Sequence, residues 1–308
     1  MIKQSNHLTN GLVVCILASF CCMLWGSAFP GIKLGYSFFA IPSDAVGSQL
    51  LFAGMRFTLA GILTILFGSI FSKKCLRPKK ENWKNIFRLC LVQTVAQYVF
   101  FYIGMSHTTG VKGSIITASN VFLALLIPAL LFKQEHLSFG KILGCIIGFS
   151  GVVLINLGGS SIDFSMTWNG EGFIFLSALS YAFSSVLIKG YSKKESPVVL
   201  SGYQFFLGGI ILMAIGLLFG GRITTVNTNA ILSLLHLSLV SSVAYTIWAI
   251  LLKHNPVGKV AVYGFMNPIC GVILSTLLLH ENNQAFGITG LLSLFLVCIG
   301  IFIVNRSN

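Results

Sequence analysis

Gln93, Thr94, Gln97, Tyr98 and Tyr102 place amides and hydroxyls within about two and a half helical turns of an otherwise apolar segment. Gln93 and Gln97 are four residues apart, which on a helix puts both amides on one face. The chemistry open to such groups is hydrogen bonding, either to a bound solute in a wet cavity or across to a neighbouring helix, and both uses stay open. Catalysis has no foothold, because HExxH, paired intramembrane aspartates, and a Ser or Cys beside a credible base are all absent from the sequence. A P-loop is absent too, so the expectation is no catalytic residue, no cofactor and no ATP hydrolysis. Seven of the eight cysteines lie inside apolar runs without CxxC or Cys/His metal spacing, so they read as small core residues and no metal site is expected.

The same polar set recurs further along the chain. At a fixed offset, Tyr98 matches Tyr245, Ile103 matches Ile250, His107 matches His254, Lys112 matches Lys259 and Asn120 matches Asn267. Tyr245 and Trp248 are therefore the counterparts of the first cluster, suited to stacking on a solute or to ordinary packing. Asn120 and Asn267 suit solute contact, or satisfaction of backbone carbonyls freed by a helix irregularity beside Pro268. Trp25 and Tyr181 occupy matched places as cavity walls or gate residues. Arg56 pairs with Gln204; the arginine lies toward one end of its segment, where it could snorkel, and we read the pair as structural or gating rather than as direct solute contacts. His107 and His254 read as interfacial end residues more than as proton relays. Glu135 and Glu281 close segments, where a carboxylate can be solvated.

The elements that must position these residues are set by composition. The chain is 308 residues long, 55% hydrophobic and 9% charged, and its mean hydropathy is +0.88. A soluble domain carries about 25% charged residues, so the chain reads as membrane-spanning and its partners as lipid and a small molecule, with no nucleic acid despite the net charge of +13. Ten apolar stretches long enough to span fall near 12–32, 48–71, 86–106, 113–132, 141–157, 170–189, 199–219, 230–252, 259–279 and 286–304. Helices are the only spanning structure available to them, which makes the fold class an all-α polytopic membrane protein. With the N-terminus inside, sixteen of the twenty Lys and Arg fall on the inner side and three outside, which places both termini in the cytoplasm and suggests the plasma membrane. Two halves, 12–157 and 170–305, hold five spans each. An odd repeat emerges on the opposite face of the bilayer, so the halves are expected to form an inverted repeat.

Further pieces pair between the halves: "RFTLAGIL" from Arg56 with "QFFLGGII" from Gln204, "LWGSAFPGIK" ending at Lys33 with "SYAFSSVLIK" ending at Lys189, and Glu135 and Glu281 each followed nine residues later by a glycine. With "MNP" at Met266 to Pro268, this order resembles the EamA-like family of the drug/metabolite transporter superfamily. The resemblance implies a ten-helix metabolite transporter, commonly an exporter of amino acids or related compounds, with a cavity lined by the first, third and fourth helices of each half. One departure stands out, since Val121 follows Asn120 where Pro268 follows Asn267. A kink at that level is accordingly expected only in the second half.

Together these readings predict a secondary transporter of a small polar metabolite, working by alternating access. A channel-like facilitator, a sugar- or nucleotide-type transporter of the same superfamily and a membrane scaffold are the alternatives. A lining rich in Tyr, Asn and Gln suits zwitterions, neutral amino acids or sugars better than phosphorylated compounds, which call for inward-facing Arg or Lys.

Overall fold

The computed structural model describes residues 7–108, 110–157, 166–279 and 288–307. Among the described residues, ten helices are long and apolar enough to cross a membrane: α1 Gly11–Phe38, α2 Val46–Ser72, α3 Lys80–Met105, α4 Lys112–Leu130, α5 Phe139–Leu157, α6 Trp168–Tyr191, α7 Pro197–Leu218, α8 Thr228–His254, α9 Val257–Leu278 and α10 Ile288–Arg306. The described residues contain no strand. The first helix runs six residues beyond the apolar stretch that announced it, because nothing breaks it before the left-handed turn at Ala40 (φ 52°) and Pro42.

Large apolar side chains such as Leu12, Ile16, Phe71, Leu218, Leu291 and Phe302 point outward, as suits a molecule whose solvent is lipid. Polar side chains are turned inward, with Thr94, Ser184, Ser201, Gln204, Ser238 and Ser241 fully buried. Lipid supplies no hydrophobic force between helices, so close packing must come from shape, and glycine provides it. In α2 and α7, a Cβ on Gly54 would lie 2.7 Å from the Gly209 carbonyl oxygen, and one on Gly61 would lie 2.7 Å from that of Gly202. The "RFTLAGIL"/"QFFLGGII" pairing makes Gly54 the mate of Gly202 and Gly61 the mate of Gly209. The two close approaches are therefore copies of one contact, related by the repeat. On the other flank, α5 and α10 approach through Gly144 and Gly300, where a Cβ on Gly300 would lie 2.5 Å from the Gly144 carbonyl oxygen.

The remaining contacts follow the same rule of exchange. Helix α1 packs on α8 and α9, while its mate α6 packs on α3 and α4. Because successive spans alternate in direction, five of them carry the chain to the opposite face, and the second half is inverted relative to the first.

Irregular turns are built into this frame. A π-helical stretch, Cys90–Ala96, interrupts α3 at Gln93 and Thr94. Helix α9 begins as a single α turn, tightens to a 3-10 stretch over Val262–Phe265, and resumes at Met266. Helix α4 breaks as well: the Ser119 N–H bonds the Ile116 carbonyl at 3.0 Å, and the helix restarts at Asn120. The irregularity expected only beside Pro268 is thus present in both halves. In the first it is an over-tightened turn at a serine rather than a proline effect, which the absence of proline after Asn120 could not show.

Gly61→Leu, which must push backbone atoms of α7 apart, should cost about 2–3 kcal/mol or prevent folding. Gly190→Ala, at a helical site with nothing within 4 Å of the new Cβ, should leave thermal unfolding in detergent unchanged or raised by up to about 1 kcal/mol. Equal destabilisation by the two would mean that the α2–α7 approach is not the constraint described.

Candidate functional site

The glycine approach brings the faces beside it together on the axis that relates the halves. Phe57 and Phe205, which are repeat mates, stack with centroids 5.2 Å apart. Tyr98 and Tyr245, the mates found first in sequence, join hydroxyl to hydroxyl at 2.8 Å. The Phe57–Tyr98 contact at 4.4 Å is matched by Phe205–Tyr245 at 4.9 Å. A residue can touch its own mate only near the symmetry axis, so these two pairs locate the axis within an aromatic cluster. Trp25 meets Tyr245 and Trp248 edge-on at 5.1 and 5.0 Å, and Tyr181 packs against the same cluster from α6.

Around the cluster lie two polar clamps. Thr94 Oγ1 donates to Gln204 Oε1 at 2.5 Å, and Gln204 Nε2 donates to Gln93 Oε1 at 3.1 Å. Of the two uses open to Gln93, the structure shows the interhelical bond, and the π-helical stretch is what turns Gln93 and Thr94 toward α7. On the mate side, Arg56 Nε donates to Ser241 Oγ at 3.0 Å and its guanidinium lies 5.1 Å over the Phe57 ring. Arg56 is only 3% exposed, so it does not snorkel. Ser238 Oγ donates to the Arg56 carbonyl at 3.0 Å, and the hydroxyls of Thr64 and Ser242 meet at 2.7 Å, tying α8 to α2.

Among the described residues, the buried groups without a hydrogen-bond partner include the indole N–H of Trp25 and the amide oxygens of Gln97 and Asn267. Asn120 and Asn267 each follow one of the irregular turns, with Pro268 next to the latter, but no hydrogen bond links either to the tyrosines among the described residues. Helix α9 reaches α1 at Cys270 against Gly26, one turn beyond Asn267 and next to Trp25. Phe57, Phe205, Ser241 and Ser238 had not been singled out from sequence. The phenylalanines follow Arg56 and Gln204 in the matched octapeptides, so their signal was present and lay in the neighbours of the residues that drew notice.

Carboxylates fasten the ends of the bundle. Glu135, in the α4–α5 loop, pairs with Lys189 at the end of α6 at 3.1 Å and accepts the N–H groups of Val257 and Gly258 at the start of α9, the latter at 3.2 Å. Its side chain is only 6% exposed, which corrects the expectation of a solvated end residue: three donors from two helices take the place of water. At the opposite end Glu171 accepts from the hydroxyl of Thr108 at 2.5 Å and from the N–H of Thr167 at 2.8 Å, with Lys112 at 3.8 Å. Glu281 lies outside the described residues. Burial acts to raise the carboxyl pKa of Glu195, but hydrogen bonds from the Asn82 side chain and from the N–H groups of Lys79 and Ser196 hold it below the ordinary value. His107 is exposed and turns its ring toward the Ile103 carbonyl. No group of three or more His, Cys, Asp or Glu is placed to hold a metal among the described residues. An apolar cleft between α4, α5 and α6, lined by Ile115, Phe149, Trp168 and Phe175, contains none of the central cluster.

The sequence matches the model of the EamA-like transporter family over residues 10–157 and 168–306. It is similar to an uncharacterized transporter of Archaeoglobus fulgidus, 30% identical, with 89% of this chain and 92% of that protein covered. An uncharacterized transporter of Synechocystis is 26% identical over 99% of this chain and 92% of its own. A WAT1-related chloroplastic protein of Arabidopsis thaliana is 24% identical; 91% of this chain aligns, spanning 66% of the plant protein's length. A crystal structure with 15% identity superposes with a TM-score of 0.78 over 96% of this chain and 99% of the other, which shows a shared fold.

Glu135→Gln should destabilise the protein by about 3 kcal/mol, because it strands a half-buried lysine and weakens the cap on α9. Glu135→Gln/Lys189→Gln should cost less than the sum of the two single changes. A strictly additive double-mutant cycle, measured by thermal unfolding in detergent, would contradict the coupled lock.

Proposed function

The chain belongs to the EamA-like transporter family of the drug/metabolite transporter superfamily, a multi-pass membrane transporter and no enzyme, and from that premise we propose that it moves a small polar metabolite through the central cluster by alternating access. One observation carries this reading: the repeat mates Tyr98 and Tyr245 meet on the axis between two inverted halves. An inverted repeat lets the halves exchange conformations, opening one face as the other closes, and a solute on the axis then sees both sides in turn. Trp25, Tyr98, Tyr181, Tyr245 and Trp248 form the walls in this reading. Gln97, Asn120 and Asn267 supply hydrogen bonds, while Gln93, Gln204 and Pro268 hold or bend the helices that move. Apolar rings with a few amides suit an amino acid or a derivative of one.

The halves 12–157 and 170–305 act as the moving units. Export, a plasma-membrane location and cytoplasmic termini complete the proposal, and the sixteen-to-three distribution of Lys and Arg supports the last of these.

In proteoliposomes, counterflow should separate a carrier from a pore: unlabelled solute on the far side accelerates uptake only by a carrier. A panel of neutral amino acids, sugars and phosphate esters, run with and without a pH gradient, should favour the amino acids. Tyr98→Phe, Asn120→Ala and Asn267→Ala should each lower uptake about tenfold or more without changing expression. If all three transport normally, the axis cluster is not the route.

Cys75, exposed in the basic α2–α3 loop, tests orientation. With the exposed Cys15 and Cys298 replaced, an impermeant maleimide should label Cys75 in inside-out vesicles and spare it in right-side-out vesicles. The reverse pattern would invert the topology.

A further inference from the structure

Arg56 lies ten residues into α2, about 15 Å from the start of the helix, and is 3% exposed. Its Nε has Ser241, but among the described residues its two terminal nitrogens have no hydrogen-bond partner, and no carboxylate lies within ion-pair distance. A guanidinium is a permanent charge. An unpaired buried charge costs several kcal/mol.

The repeat shows what is missing. Ser241 stands where Thr94 stands in the other half, and each bonds its clamp partner, Arg56 or Gln204. In the second clamp Gln93 completes the set by accepting from Gln204. The residue at the place of Gln93 in the first clamp is Val240, which accepts nothing. The clamp that carries the charge is thus the clamp that lacks the acceptor.

We propose that the missing acceptor is the carboxylate of the transported solute, held by the terminal nitrogens of Arg56, and that zwitterionic amino acids are the class the site takes. This rests on the transporter reading and replaces a purely structural or gating role for Arg56. The guanidinium lies over the ring of Phe57, which packs against Tyr98 and stacks on Phe205, and this places it beside the axis cluster rather than at the lipid face. One guanidinium matches one carboxylate in a two-point fork. With no second Lys or Arg in the cluster among the described residues, a phosphate dianion would stay half-neutralised. The opposite requirement, acceptors for an ammonium group, is met by the free amide oxygens of Gln97 and Asn267 and by the ring faces of Trp25, Tyr245 and Trp248.

The test uses the full chain in nanodiscs and in proteoliposomes, with L-leucine, L-threonine and L-phenylalanine each beside its own carboxamide. Binding is read from Trp25 and Trp248 fluorescence in a Trp83→Phe/Trp168→Phe background, and transport from counterflow. At least one acid should bind about tenfold tighter than its amide, a preference of the size one lost charged contact gives. Arg56→Gln, which copies the mate's amide, should erase that preference while leaving the unfolding temperature close to wild type. If Arg56→Gln does not fold, Val240→Glu decides, because an internal carboxylate should weaken acid binding about tenfold and leave amide binding unchanged. Persistence of the acid preference in Arg56→Gln, unchanged acid binding in Val240→Glu, or equal binding of acids and amides by the wild type overturns the anchor. Counterflow of probes without an acid preference would sink the anchor and leave the transporter standing, whereas an Arg56-dependent preference without counterflow would do the reverse.

Discussion

The rest of the structure depends on how closely α2 and α7 can approach. Four glycines, Gly54, Gly61, Gly202 and Gly209, let the two backbones touch in two copies of one contact. In lipid that contact cannot be replaced by a greasier side chain, because the membrane offers the same apolar surroundings to a separated helix. Everything on the axis follows from it. Phe57 and Phe205 stack because their backbones are held within reach, and Tyr98 and Tyr245 meet over them. Away from the centre the copies diverge: Gly216 meets backbone at Gly47 and Leu51, while its mate Gly68 meets side chains of Leu76 and Val198. The interface is symmetric at its middle and asymmetric at its ends.

Much of this frame was legible in the sequence because each level of it leaves a one-dimensional trace. Bilayer thickness sets the length of ten apolar runs. Duplication leaves Tyr98 and Tyr245 in register, and an odd helix count turns duplication into inversion. What could not be read was where a side chain finds its partner. Gln93 and Gln97 share a helical face by spacing alone, yet the π-helical stretch sends Gln93 to Gln204 and leaves the Gln97 oxygen without a donor. Glu135 looked like an end residue for solvent, because nothing local announces that the start of α9 will fold over it. The break at Ser119 has no proline to signal it. These are tertiary facts, and a pattern of residue types along one helix does not contain them.

The broken correspondences carry as much as the preserved ones. A perfect repeat would place the same polar set on both sides of the axis, and a solute on that axis would have no reason to lie one way round. In this chain the mates of Gln204 and Gln93 are Arg56 and Val240, so one side holds a bonded amide pair and the other a charge whose side-chain hydrogen bond, among the described residues, goes to Ser241 alone. The aromatic pairs remain matched. Walls that look alike from either face, with one charged contact off centre, would let a polar solute keep a single orientation while access alternates around it. On the proposed reading inversion and asymmetry have different jobs: the shared glycine and aromatic contacts would let the halves exchange, and the unmatched clamp would fix what they carry.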